Sequence, residues 1–275
     1  MRDPTVKELY DLTGKVGLVT GGGTTIGRQM AMALCEAGAK VAIASRRLEV
    51  CRKAAQEIGE RTGGEAIALQ LDVTNEEQVN DVVSAVVERL GGLDILVNNA
   101  GINLDTLIDK AKTADWQEVI DTNLNGTFFC SRAASRLMIE KGAGKIINIS
   151  SIYGLVGCLP SLYAGLDRVM SGCSAAYAAS KGGIVNLTRS MACYLAQWHI
   201  NVNCISPGGI FSERTIAAPA GGEDWRFFNR YAERCPWGRM AEASEIKGLI
   251  VFLSSAASDY VTGAVIPLDG GWTAC

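Results

Sequence analysis

Short apolar runs rich in Val and Ile alternate with longer stretches whose apolar residues recur at helical spacing. The pattern predicts strands at 15–20, 40–44, 66–71, 93–97, 145–149, 201–205 and 265–268. Between them it predicts a helix ending at Ala37 before Gly38, and helices at 48–61, 76–90, 115–141, 175–198 and 243–255. Strands that are apolar throughout belong in a parallel sheet covered on both faces. The expected fold class is therefore α/β, a doubly wound parallel sheet of about seven strands with right-handed crossovers, and residues 1–275 are expected to form a single domain. No stretch reads as a linker, an internal repeat or a low-complexity segment.

Composition narrows the function classes. Hydrophobic residues make up 48% and charged residues 20% of the 275, as in a well-packed globule. A formal net charge of -3, with both signs interspersed, argues against a nucleic-acid surface. Residues 1–12 are polar and carry both charges, so neither a signal peptide nor a membrane span is expected there. The 9 cysteines form no CxxC pair and several lie in apolar contexts, as Cys35 and Cys193 do; they read as free thiols of a reducing cytoplasm. His199 is the only histidine and sits beside Trp198 at the end of an apolar helix, so a structural role is expected for it and no metal site.

Two stretches suggest chemistry. Residues 21–27 form a glycine-rich turn between the first strand and first helix, where backbone N–H groups and the helix dipole suit a pyrophosphate. Tyr177 and Lys181 stand four apart in a stretch of helix formers, which puts phenol and ammonium on one face. A cation so close favours the phenolate, and the phenol becomes a general acid/base; otherwise the two form an ordinary pair on a solvated face.

Thr20-Gly21-Gly22-Gly23-Thr24-Thr25-Ile26-Gly27 resembles the TGxxxGxG turn of the short-chain dehydrogenase/reductase superfamily, with Thr25 in place of the middle glycine. Leu71-Asp72-Val73, Asn98-Asn99-Ala100-Gly101, the 207–212 segment and Leu268-Asp269-Gly270-Gly271 match the same superfamily in the same order. The resemblance implies a Rossmann fold with a dinucleotide over Gly21, Gly23, Thr25, Ile26 and Gly27. It places Asp72 and Val73 at the adenine, Asn99, Ala100 and Gly101 under the cofactor, and Pro207, Gly208, Ile210 and Ser212 at the nicotinamide. At the end of the second strand, Ser45, Arg46 and Arg47 replace the carboxylate that would accept from a ribose. Two guanidiniums there favour NADP over NAD, Arg46 first, unless they only cap a solvated edge.

The resemblance also implies a tetrad of Asn123, Ser151, Tyr177 and Lys181. Asn123 would bind a relay water through an amide exposed at a helix kink, and Ser151 would donate to the substrate oxygen. Tyr177 would exchange the proton, and Lys181 would lower its pKa and hold the nicotinamide ribose. Ser151 and Tyr177 are 26 positions apart, about twice the family's spacing, and apolar side chains from Leu159 to Met170 predict an inserted helix within 158–174. That helix either shapes the substrate pocket or covers a subunit edge. A second segment, 211–237, with Trp225, Phe227, Phe228, Tyr231 and Trp237, reads as a substrate lid. Its Arg226, Arg230 and Arg234 either attract an acidic substrate or form a solvated row.

The expected function is oxidation of a secondary alcohol to a ketone, or the reverse, with NADP or NAD, on a sugar, polyol or hydroxy acid. A 3-oxoacyl thioester is the alternative substrate, and a catalytically idle NADP(H)-binding sensor or scaffold is a third reading. A homotetramer is expected from the resemblance alone.

Overall fold

All seven expected strands form and join one parallel sheet in the order β3-β2-β1-β4-β5-β6-β7. The computed structural model describes residues 2–104, 107–163, 174–211 and 223–275. The strands are β1 Val16–Thr20, β2 Lys40–Ser45, β3 Ala66–Gln70, β4 Ile95–Asn98, β5 Gly144–Ile149, β6 Ile200–Pro207 and β7 Val265–Leu268. From β1 the chain winds outward through β2 and β3, then returns to place β4 on the other side of β1. The crevice at the carboxyl ends of β1 and β4 is thus the topological switch point, where such sheets bind ligands.

Around the sheet lie α1 Val6–Leu9, α2 Thr25–Glu36, α3 Leu48–Thr62, α4 Glu76–Leu90, α5 Thr113–Ile120, α6 Gly126–Lys141, α7 Ala175–Leu195, α8 Glu223–Arg234 and α9 Lys247–Ser254. Two apolar clusters explain why β1 is buried at all five positions. One packs Leu34, Ile58 and Ile250 from α2, α3 and α9 against Ile43, Val97 and Ile147. The other packs Val83, Ala134 and Leu195 from α4, α6 and α7 against Leu18, Leu96 and Ile146. With water excluded from both faces, these strands need no polar alternation.

Three differences from the sequence pattern bear on the site. The expected helix at 115–141 is α5 and α6 joined by a π-helical turn, Asp121–Asn125. Periodicity does not register one wider turn within a continuing helix. Within 158–174, the described part forms a short 3-10 turn at Pro160–Leu162, and 164–173 lie outside the described residues. Of the expected lid, α8 is described, whereas 212–222 lie outside the described residues. Among the described cysteines, Cys35, Cys51, Cys130, Cys204 and Cys235 are buried and free, and Cys193 and Cys275 are exposed and free. Cys158 is disulfide-bonded, contrary to the reading of free thiols, because pairing depends on spatial approach rather than on spacing. Among the described residues, no helix is long and apolar enough to cross a membrane, and no group of His, Cys, Asp or Glu could hold a metal.

Candidate active site

The turn after β1 is made of backbone packed against backbone. Gly21 has φ +63, and a Cβ there would lie 2.9 Å from Asn99 Nδ2. At Gly27 a Cβ would lie 2.3 Å from the Gly21 carbonyl oxygen. The Asn99 amide donates to the carbonyls of Thr20 and Gly21, each at 3.0 Å, and Thr20 Oγ1 accepts from the N–H groups of Asn99 and Ala100, each at 3.1 Å. These bonds stitch the two glycine-bearing loops together across the switch point. Helix α2 starts at Thr25 without a side-chain cap, so its first N–H groups remain available to an anion. Thr25 takes φ +44, the left-handed conformation that the family's glycine would supply.

A cavity of about 420 Å³ runs from this turn to the ends of β2 and β3. Its lining brings together Gly21, Gly23, Thr25, Ile26, Gly27, Ser45, Arg46, Arg47, Asp72, Val73, Asn99, Ala100 and Gly101. Arg46 and Arg47 are exposed at its mouth. Asp72 Oδ1 accepts from the backbone and hydroxyl of Thr74 at 3.0 and 2.8 Å, so half of that carboxylate holds its own turn. Val73 is buried against Gly126, where a Cβ would meet it at 2.6 Å.

A second cavity, about 360 Å³, shares Thr25, Ile26, Asn99, Gly101 and Ile102 with the first and takes in Ser151, Tyr177, Lys181, Pro207, Gly208 and Ile210. Ser212 lies outside the described residues. The two cavities form one trough from the arginines to Tyr177. A floor of glycines, the start of a helix and cations at one end fit a dinucleotide phosphate.

At the inner end the four expected residues converge. Asn123 lies in the π-helical turn, fully buried, and its amide is not exposed as the kink had suggested. Asn123 Nδ2 donates to the Ile102 carbonyl at 2.9 Å and to Ser180 Oγ at 3.0 Å, while Oδ1 accepts from the Ile102 N–H at 2.8 Å. Both amide protons are spent inside the protein, because the wide turn directs the side chain into the 101–102 loop. Lys181 Nζ donates to the Ile149 carbonyl at 2.8 Å and lies 5.6 Å from the centre of the Tyr177 ring. Ser151 lines the same cavity as Tyr177 and Lys181, and its Oγ accepts from the Tyr153 N–H at 3.2 Å.

Burial decides the protonation states. The Tyr177 pKa is raised, chiefly by loss of water, and the influence of the Ser151 hydroxyl only offsets part of that. The spacing of Tyr177 and Lys181 had suggested a lowered phenol pKa. The ammonium does reach the ring, but Lys181 is buried and Tyr177 half-buried, and loss of water is the largest influence on the pKa of each. The same loss of water lowers the Lys181 pKa from the usual 10.5 to about 8. Between about pH 8 and 10.5 the unfolded chain therefore binds a proton that the folded chain does not, and Lys181 makes stability rise with pH across that window. In Lys181→Met this rise is expected to disappear, as urea midpoints at about pH 7.5 and 9.5 for both proteins would show.

Several partners of the tetrad carry no signal in the sequence. The Ile149 and Ile102 backbones hold Lys181 and Asn123, and Ser150 Oγ donates to the Lys181 carbonyl at 2.7 Å. Ser180, a small polar residue among alanines beside Lys181, is the one that could have been found.

Over the mouth, α8 packs on the turn at Pro160–Leu162. Leu162, Phe228, Tyr231, Met240 and Trp272 form an apolar cluster. Tyr231 stacks on Trp272 with ring centres 4.3 Å apart, and its hydroxyl accepts from the Gly209 N–H. The arginine row is not simply solvated: Arg230 donates to the Leu162 carbonyl at 3.3 Å, and the Arg234 guanidinium lies 5.5 Å from the Trp272 ring centre.

A family model described as enoyl-(acyl carrier protein) reductase matches residues 22–273. The 3-oxoacyl-(acyl-carrier-protein) reductase of Synechocystis sp. is 35% identical over 261 residues, 94% of this chain and 97% of its own. The crystal structure of a short-chain type dehydrogenase/reductase from Mycobacterium marinum superposes with a TM-score of 0.89 at 36% identity, covering 98% of this chain and 100% of that one. The chain belongs to the short-chain dehydrogenase/reductase family. Within this family it also resembles a gluconate 5-dehydrogenase from Burkholderia cenocepacia, solved in complex with NADP and tartrate. That structure has a TM-score of 0.86 and 32% identity, with 98% of this chain and 100% of that one covered.

Proposed function

We propose that the protein is an oxidoreductase that interconverts a secondary alcohol and a ketone with NADP(H), acting on a small hydroxylated substrate. The observation that carries this reading is the convergence of Ser151, Tyr177 and Lys181 at the inner end of a trough whose outer end has a glycine turn and two arginines. When bound, the nicotinamide supplies or accepts the hydride. Ser151 donates a hydrogen bond to the substrate oxygen, and Tyr177 passes its proton to that oxygen during reduction. Its raised pKa keeps that proton in place at neutral pH, which suits the direction of ketone reduction. Lys181, fixed by the Ile149 carbonyl, sets the field around the phenol and meets the cofactor ribose. Asn123 shapes the 101–102 backbone on which the cofactor lies.

A polar substrate is supported by the Tyr153 and Tyr163 hydroxyls, 3.0 Å apart in the segment after Ser151, and by the packing of α8 over Leu162. A 3-oxoacyl thioester would need an open groove and a basic patch for its carrier, whereas Arg230 and Arg234 are engaged with Leu162 and Trp272. The whole chain acts as one catalytic domain in this reading, in the cytoplasm and as a homotetramer. Phe128 of α6 and Tyr194 of α7 are exposed on helices through which such an assembly would form.

Oxidation of NADPH or NADH in the presence of hydroxylated ketones, keto acids and 3-oxoacyl thioesters tests the proposal. Faster reduction of the hydroxylated ketones is expected. No turnover of any of them, with NADPH still bound, would support the sensor reading instead. Arg46→Glu is expected to lower kcat/KM for NADPH about tenfold to a hundredfold relative to NADH, by removing a charge-assisted bond to the 2′-phosphate. An unchanged ratio would show that Arg46 only caps the edge of the sheet.

A further inference from the structure

We propose that Asn148 and Thr188 are positioning residues: the hydrogen bond between them fixes how helix α7 sits on β5, and so holds Tyr177 where its hydroxyl meets the reacting carbonyl. This inference rests on the reading of Tyr177 as the proton donor of a ketone reductase.

Asn148 of β5 and Thr188 of α7 are polar residues set fully inside the core. A buried amide or hydroxyl is costly unless its hydrogen bonds are made, and here they run in one order. Thr188 Oγ1 donates its single proton to the Ile184 carbonyl at 2.8 Å. It therefore accepts from Asn148 Nδ2, 2.9 Å away. That leaves Asn148 Oδ1 for β4, where it accepts from Asn98 Nδ2 at 2.8 Å. Asn98 Nδ2 also donates to Ser131 Oγ of α6 at 2.8 Å. One chain of bonds thus crosses from α6 and β4 through β5 to α7.

Both ends of the chain bear on the reaction. Asn98 directly precedes Asn99, whose amide holds the Thr20 and Gly21 carbonyls of the phosphate turn. Thr188 stands seven residues after Lys181 and eleven after Tyr177, about two and three helical turns, so the three share one face of α7. At Lys181 the helix is pinned twice: its Nζ donates to the Ile149 carbonyl at 2.8 Å, and Ser150 Oγ donates to its carbonyl at 2.7 Å. These bonds make one fixed point, about which a helix can still tilt. Thr188 supplies a second point about 10 Å further along the axis, while Tyr177 lies about 6 Å beyond Lys181 on the other side. Freeing the second point therefore swings Tyr177 as the short arm of a lever. Apolar packing resists this weakly, because the contact of Ile184 and Val185 with Cys204 has no preferred direction, whereas a hydrogen bond has one.

Thr188→Val removes the hydroxyl and keeps the shape of the side chain. With NADPH and whichever ketone, keto acid or thioester the wild type reduces fastest, kcat should fall about tenfold, the scale of a small misplacement of a catalytic group. NADPH affinity should stay within about twofold, since the phosphate turn keeps its own bonds. Thr188→Ser, which retains the hydroxyl, should restore kcat, and Asn148→Ala, which cuts the link from β5, should reproduce the loss. The solvent isotope effect on kcat should rise in Thr188→Val, because proton transfer from Tyr177 becomes slower relative to the other steps. In Tyr177→Phe the further change Thr188→Val should have no effect, since both act through one hydroxyl. A role confined to stability would lower the urea midpoint, leave the isotope effect alone and slow Tyr177→Phe by the same factor as the wild type. That result, or an unchanged kcat in Thr188→Val, would overturn the inference and leave the ketone reductase reading intact. Failure of the wild type to reduce any of these compounds would overturn both.

Discussion

Replacing Tyr177 with Phe is expected to lower the rate of ketone reduction by about a hundredfold to ten-thousandfold, the range that a positioned proton donor contributes. The variant keeps the ring, its place on α7 and its distance from the Lys181 ammonium, and it loses only the hydroxyl. No other phenol takes its place: Tyr153 is turned to Tyr163, and the Tyr231 hydroxyl is held at the Gly209 N–H. NADPH affinity, followed by quenching of protein fluorescence, is expected to stay within a few-fold, because the phosphate turn lies in the other half of the trough. Turnover comparable to the wild type would remove Tyr177 from the acid/base role.

Gly27→Ala should have the largest effect on cofactor binding. The added Cβ would stand 2.3 Å from the Gly21 carbonyl oxygen, 2.6 Å from Asn99 Nδ2 and 3.0 Å from Gly22 Cα. Two of these neighbours are backbone, so no rotamer change relieves the overlap and the turn must move away from α2. A cost of about 1–3 kcal/mol in stability is expected from such overpacking. A loss of at least tenfold in NADPH affinity should accompany it, because the same backbone forms the floor under the phosphates. Gly92→Ala provides the contrast, since a Cβ there meets nothing within 4 Å. Urea midpoints and NADPH titrations of both variants check the pair; normal binding by Gly27→Ala would move the pyrophosphate elsewhere.

How far the site could be read from the sequence differs from residue to residue. Gly21 and Gly27 were visible because a glycine cradle is a local feature, set between a strand and a helix that the apolar pattern already marks. Tyr177 and Lys181 were visible because four residues make one helical turn. Asn123 was found through the family motif, yet its environment was not, since the π-helical turn and the Ile102 backbone that saturate its amide leave no mark on periodicity. Arg230 looked like one of a solvated row because its partner, the Leu162 carbonyl, is a backbone atom 68 residues away.

By itself, the sequence determined the layered α/β fold and its seven strands, and it marked the glycine turn and the Tyr177–Lys181 pair, while Asn123 and Ser151 were named through the family resemblance. The fold, the turn and the pair follow from spacing along the chain, through the helical or extended repeat or through a glycine that has to pack on backbone. Only the tertiary structure decided the direction in which burial moves Tyr177 and Lys181, the engagement of Arg230 and Arg234 and the pairing of Tyr153 with Tyr163. Desolvation depends on everything packed around a group, and hydrogen bonds to distant backbone depend on how the elements dock. Neither quantity is a function of local sequence, which is why the phenol and the ammonium stand where their spacing put them while the phenol's pKa moves opposite to the expectation.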